Sequence, residues 1–119
     1  MLSTQIKNFS KAQSECLHEL YIEIARGNVK TAETAVQQVL KADVPTTKKV
    51  RLHHLQEQIQ ENIAVKPSFL YLKAMIQQVK QQYQPMANTL KEALKADSNF
   101  YLAAKTLQEL RQASQGAIR

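Results

Sequence analysis

The sequence predicts an all-helical fold of five or six antiparallel helices. Three observations carry that expectation. Ala, Leu, Lys, Gln and Glu are abundant, and these residues lose little freedom in a helix; only two glycines and three prolines punctuate the 119 residues. Apolar residues recur at three- and four-residue spacing along most of the chain. Runs rich in Val, Ile and Thr with strand-like alternation are missing.

The first helix is expected from Ser3 or Thr4 to Ala25, with Ile6, Phe9, Leu17, Leu20 and Ile24 on one stripe and Cys16 and Tyr21 beside it. Gly27 supplies the left-handed residue that ends it, and Asn28 can cap the next helix through its side-chain oxygen. The second helix, about 29–42, repeats Val29, Ala32, Val36, Val39 and Leu40, and small Ala32 and Ala35 admit a close neighbour. Pro45 ends it by pushing Val44 out of the helical region. Thr46 or Thr47 then caps a third helix with Val50, Leu52, Leu55, Ile59 and Ile63. Pro67 opens a fourth helix with a stripe of Phe69, Leu72, Ile76, Val79 and Tyr83, Met75 alongside. Pro85 either separates two helices or kinks one long one, and a break or sharp kink is expected there. A fifth helix carries Met86, Leu90, Ala93 and Leu94. Asp97-Ser98-Asn99 caps a sixth that buries Phe100, Ala103, Leu107 and Leu110 and frays from Gly116. Connections of a few residues make successive helices neighbours in a single domain, 1–119, with one core.

Composition sets the functional classes. Apolar content of 44% and charged content of 22% are ordinary for a soluble globular protein. A lone Cys16 makes no internal disulfide, and no secretory signal or run of ~18 apolar residues is seen. The cytoplasm is the expected location, and export without a cleaved signal would leave the same sequence. The net charge of +6 is uneven: residues 26–54 carry six Lys or Arg against two acids. Such a balance favours acidic partners (nucleic acid, an anionic membrane or an acidic protein face) without choosing among them.

Short stretches recur. Val39-Leu40-Lys41-Ala42-Asp43 returns as Ala93-Leu94-Lys95-Ala96-Asp97, Leu55-Gln56-Glu57 as Leu107-Gln108-Glu109, and Leu20-Tyr21-Ile22 is echoed by Leu70-Tyr71-Leu72. Together they suggest a three-helix unit used twice, about 10–60 and 61–112. Gly27-Asn28-Val29 followed by Ala32, Val36, Val39, Leu40 and Asp43 resembles the second half of a tetratricopeptide repeat. Tyr83, Met86, Leu90, Ala93, Leu94, Asp97 and Ser98 have the same spacing without the glycine, and Phe100 to Leu110 is similar to the helix that follows such a unit. The resemblance covers about half the chain. The family's Trp-x-x-Leu-Gly-x-x-Tyr pattern is absent, Pro45 lies one position late, and the copies are 54 residues apart rather than about 34. The resemblance implies a protein- or peptide-binding scaffold with a concave face, lined by family spacing with Leu17, Tyr21, Met75, Gln78 and Lys105. Stripe spacing alone makes Leu17, Tyr21 and Met75 core residues. Tyr71 and Tyr101 each follow another large apolar residue, so they are candidates to face outward and make a protein contact.

Among polar groups, Thr46-Thr47-Lys48-Lys49 with Arg51, His53 and His54 concentrates positive charge at an expected helix start, where a phosphate or carboxylate can bind. The plainer reading, a solvated face, is favoured. His53, Glu57 and Glu61 fall one turn apart on that expected helix. A metal site draws on more than one helix and more than one histidine, so an ion-pair face is expected and no metal or other cofactor is assigned. Cys16 has no base beside it, and no phosphate loop or nucleophile elbow occurs, so no catalytic residue is assigned. The expected function is therefore non-catalytic: an adaptor, regulator or assembly subunit binding another protein through a helical surface. The alternatives are a nucleic-acid-associated protein using residues 46–54 and a self-assembling bundle or homodimer.

Overall fold

The computed structural model describes residues 9–41, 49–53 and 60–118, with side-chain surroundings for 17–41, 52 and 61–113. Among them are five helices and one short strand pair: α1 Phe9–Ala25, α2 Val29–Lys41, β1 Lys49–His53, β2 Gln60–Ala64, α3 Val65–Val79, α4 Tyr83–Ala96 and α5 Tyr101–Ile118. The all-helical class and the five-helix count stand. The expected start at Ser3 or Thr4 lies outside the described residues, as do Pro45, Leu55, Glu57 and Ile59, and the surroundings of Cys16 are not described.

Two helical hairpins, α1–α2 and α3–α4, share one turn. At the end of α1 the Gly27 N–H donates to Ile24 O at 2.9 Å and the Asn28 N–H to Glu23 O at 2.9 Å. Gly27 sits at φ 87°, as its expected role as helix stop requires. At the end of α3 the Gln81 N–H donates to Gln78 O at 3.0 Å and the Gln82 N–H to Gln77 O at 2.8 Å, with Gln81 at φ 61°. Both ends satisfy the last helical carbonyls through one left-handed residue. The Asn28 side-chain Nδ2 donates back to Glu23 Oε2 at 3.1 Å, tying the turn to the end of α1.

The break between α3 and α4 falls at Lys80–Gln82, not at Pro85. Pro85 is the third residue of α4, where an N–H would have no intrahelical partner. One consequence corrects the expected stripe. Val79 and Tyr83, placed in the core by treating the helix as continuous, are 43% and 51% exposed.

At the described residues 49–53 and 60–64 strand stands in place of the expected third helix. β1 and β2 pair antiparallel, with Lys49 opposite Ala64, Val50 opposite Ile63, Arg51 opposite Asn62, Leu52 opposite Glu61 and His53 opposite Gln60. Val50 and Leu52 alternate with Lys49, Arg51 and His53, a two-residue period that also fits sparse helical spacing. Leu52 and Ile63 are buried, and β1 packs on α1 and α3. Among the described residues the first half therefore has a helical hairpin followed by strand where the expected unit has its third helix.

The start of α5 is likewise capped differently from expectation. Asp97 Oδ1 accepts only the Asn99 N–H, at 3.1 Å, holding the connecting turn. The helix itself is capped from β2: Glu61 Oε1 accepts the Tyr101 N–H at 2.7 Å and Oε2 the Leu102 N–H at 2.8 Å. A carboxylate across two free N–H groups at the positive end of a helix is a favourable arrangement.

The core surrounds α3, which packs against α1, α2, α4 and both strands. Phe69, Leu72 and Ala74 have no exposed surface, and Leu70, Tyr71, Met75 and Ile76 are buried with them. Its buried Ser68 Oγ donates to Val65 O at 2.7 Å, so the hydroxyl is satisfied locally. α2 packs on α3 through Ala32 and Val36, α4 through Met86, Leu90 and Ala93, and α5 closes on α4. Lys80 at the turn after α3 pairs with Glu33 of α2.

Candidate protein-binding groove

The stacking of α1, α3, α4 and α5 leaves a groove of about 1090 Å³, and each helix lines it with one face. α1 contributes Tyr21, Ile24 and Ala25, and α3 contributes Tyr71, Met75, Gln78 and Val79. These are three- and four-residue steps on one side of each helix. α4 adds Tyr83, Met86 and Lys91 among others, and α5 adds Thr106, Glu109, Leu110 and Arg111.

The floor is aromatic and hydroxyl-bearing. The Tyr21 and Tyr71 rings meet edge to face, centroids 5.9 Å apart at 78°, and Tyr71 leans on Phe100 at 5.6 Å. The Tyr71 hydroxyl lies 3.4 Å from the Tyr21 hydroxyl and 3.3 Å from Thr106 Oγ1, so one row of hydroxyls crosses from α1 through α3 to α5. Burial pushes the Tyr21 phenol well above the ordinary tyrosine value, reinforced by the neighbouring Tyr71. Burial also raises Tyr71; its hydrogen bonds to Thr106 and Tyr21 oppose that rise, and the charges of Glu109 and Glu61 add to it. Both phenols are therefore neutral at neutral pH.

The rim is mixed. Val79 and Tyr83 expose apolar and aromatic surface there, and Met75 and Met86 bring adaptable thioether side chains below it. Lys91, Glu109 and Arg111 are exposed. A smaller recess of about 310 Å³ lies between α2 and α3, lined by Glu33, Leu40, Lys73 and Gln77 among others. Gln77 Oε1 is buried without a protein hydrogen-bond partner among the described residues.

Of the residues that family spacing assigned to a concave face, Tyr21, Met75 and Gln78 line the groove. Leu17 is fully buried one turn below Tyr21, and Lys105 is half-buried on α5; neither is among the lining residues. Tyr71 does not face outward as expected. It is 1% exposed, because Tyr21, Phe100 and Thr106 pack around it, and it reaches the groove only through the floor. Tyr101 is 50% exposed at the start of α5, away from the groove. Sequence reasoning missed Tyr83, Lys91, Thr106 and Glu109. The one readable signal was the i, i+3, i+4 recurrence from Thr106 to Leu110.

Thr46, Thr47, Lys48 and His54 lie outside the described residues. Lys49, Arg51 and His53 occupy alternate positions of β1, so the helix start and dipole proposed to hold an anion there are absent at 49–53. Glu61 likewise caps α5 rather than joining an ion-pair face with His53 and Glu57. Among the described residues no group of three or more His, Cys, Asp or Glu is placed to hold a metal, and no helix is long and apolar enough to cross a membrane.

No family model matches the chain, and neither a curated protein nor a solved structure matches it.

Proposed function

We propose that the protein is a non-catalytic interaction module, built as a short stack of tetratricopeptide-like hairpins, that receives a segment of another protein in the groove between α1, α3, α4 and α5. The observation that carries this reading is the groove itself. Its volume of about 1090 Å³ is bounded by tyrosine and methionine, and Val79 and Tyr83 stand exposed at its edge. Aromatic and methionine side chains at a concavity are the residue types that dominate binding energy in protein interfaces. The hairpin order supports the family part of the reading. The first helix of each hairpin meets the next first helix, α1 against α3 and α3 against α5 through Tyr71, while the second helices α2 and α4 pack on α3.

The test is a tagged capture from the source lysate with the native chain and with Tyr83→Asp, each with and without nuclease. Tyr83 is half exposed, so the substitution leaves the core intact. A stoichiometric protein that survives nuclease and is lost with Tyr83→Asp is the expected result. Equal capture by both forms moves the partner off the groove. Loss of all captured protein on nuclease treatment moves the function to nucleic acid and the segment 46–54. Recovery of the bait alone, with mass rising with concentration in light scattering, makes self-assembly the function.

A further inference from the structure

We infer that the occupant of the groove is an amphipathic helix whose apolar face enters it and whose flanks carry acidic side chains. The inference rests on the groove reading and narrows it to one class of partner.

The helical form follows from what the groove offers a backbone. All of its lining residues come from helices, whose N–H and C=O groups pair within each helix except in its end turns, such as Tyr83 and Gln84 at the start of α4, so it presents no strand edge to extend. An extended segment would bring unpaired backbone groups against Met75, Met86 and Leu110, and leaving such groups unmade is costly. A helix arrives with its backbone bonds closed and needs only an apolar stripe. The methionines can reshape around such a stripe.

The acidic flanks follow from charge. Lys91 on α4 and Arg111 on α5 line the groove, are exposed, and have no ion-pair partner among the described residues. One acid, Glu109, stands against these two cations, and the whole chain carries +6. An acidic helix gains two rim contacts and is steered by the net charge, whereas a basic helix meets repulsion at both cations.

The test uses two synthetic helical peptides of about sixteen residues, roughly 24 Å of helix. They share one Leu and Phe stripe and carry either Glu or Lys on the flanks. Binding to the native chain is read by fluorescence anisotropy and peptide helicity by circular dichroism. The acidic peptide is expected to bind about tenfold more tightly at low salt, as two rim pairs gained or opposed would give. The difference should shrink toward about 1 M salt, where screening acts within roughly 3 Å. The Lys91→Glu, Arg111→Glu double variant, altered only at exposed positions, is expected to reverse the order. Equal binding of both peptides by the native chain overturns the acidic preference and leaves the groove reading standing. A preference unchanged in the double variant overturns it too, by placing the acidic contact elsewhere. Binding without gain of helicity overturns the helical form, and binding of neither peptide overturns the inference together with the helix-receiving groove.

Discussion

α1 and α3 hold the same place in their hairpins, 54 residues apart by their left-handed turn residues Gly27 and Gln81. Yet they are different kinds of helix. At that offset Leu17 corresponds to Tyr71 and Tyr21 to Met75, and all four are buried. Fully buried Leu72 corresponds to exposed His18, and buried Ile76 to half-buried Ile22. Among the described residues α3 packs against α1, α2, α4 and both strands, while α1 packs against α2, α3 and β1. Tyr21, Tyr71 and Met75 on the shared face line the groove, and the face that differs follows from the packing of α3 on α2, α4 and both strands.

The largest expected effect tests that contrast. Leu72→Ala should cost about 3–5 kcal/mol, because a buried leucine surrounded by packed neighbours leaves a cavity. Leu20→Ala on α1, which is only partly buried, should cost about 1–2 kcal/mol. Urea unfolding of both variants reads the difference, and equal costs would mean that α1 is as enclosed as α3.

Next in size is the cap that crosses from β2 to α5. Glu61→Ala should destabilise by about 2 kcal/mol, since it removes a charged acceptor from two N–H groups. Asp97→Ala, in the connection where a cap was expected from sequence, should cost no more than about 0.5 kcal/mol. Thermal unfolding of the pair would break the assignment if Asp97 proved the costlier loss.

The two turns give a smaller effect of opposite sign. Gly27→Ala should destabilise by about 1 kcal/mol; open space surrounds the added Cβ, so the cost is that of positive φ alone. Gln81→Gly should stabilise by about 0.5 kcal/mol, because relief of the left-handed conformation exceeds the added freedom of the unfolded chain. Chemical denaturation of both variants shows whether the turns are equivalent.

The effect smallest at neutral pH appears only in alkali. Tyr21 and Tyr71 have folded values above the ordinary 10.0, so the unfolded chain loses their protons first as pH rises. Their contribution is complete below pH 10.0 and falls above it. Tyr71→Phe should flatten the alkaline loss of stability, and an unchanged slope would show that burial of these phenols is not its source.

The groove was partly legible because Tyr21, Met75 and Gln78 repeat a face that survives any packing of their helices. Tyr71 was misplaced because adjacent large residues Leu70 and Tyr71 cannot both lie on one stripe of a helix that is buried on one side only. α3 packs on several sides, leaving Lys66, Lys73, Gln78 and Val79 exposed, and Leu70 and Tyr71 are both inside. Val79 and Tyr83 were misplaced for the converse reason: a left-handed residue at Gln81, which no glycine announces, resets the helical phase between them.

By itself the sequence determined the helical class, the Gly27 stop, the buried stripes of α2 and α4, and the excess of positive charge. Each is a property of local spacing, backbone preference or a sum over residues. Only the tertiary structure decided that Lys49–His53 and Gln60–Ala64 form a strand pair, that Glu61 caps a helix forty residues later, and that four helix faces enclose one groove. Those outcomes depend on which surfaces meet, and a period of two or of three to four residues is silent on the partner across the contact.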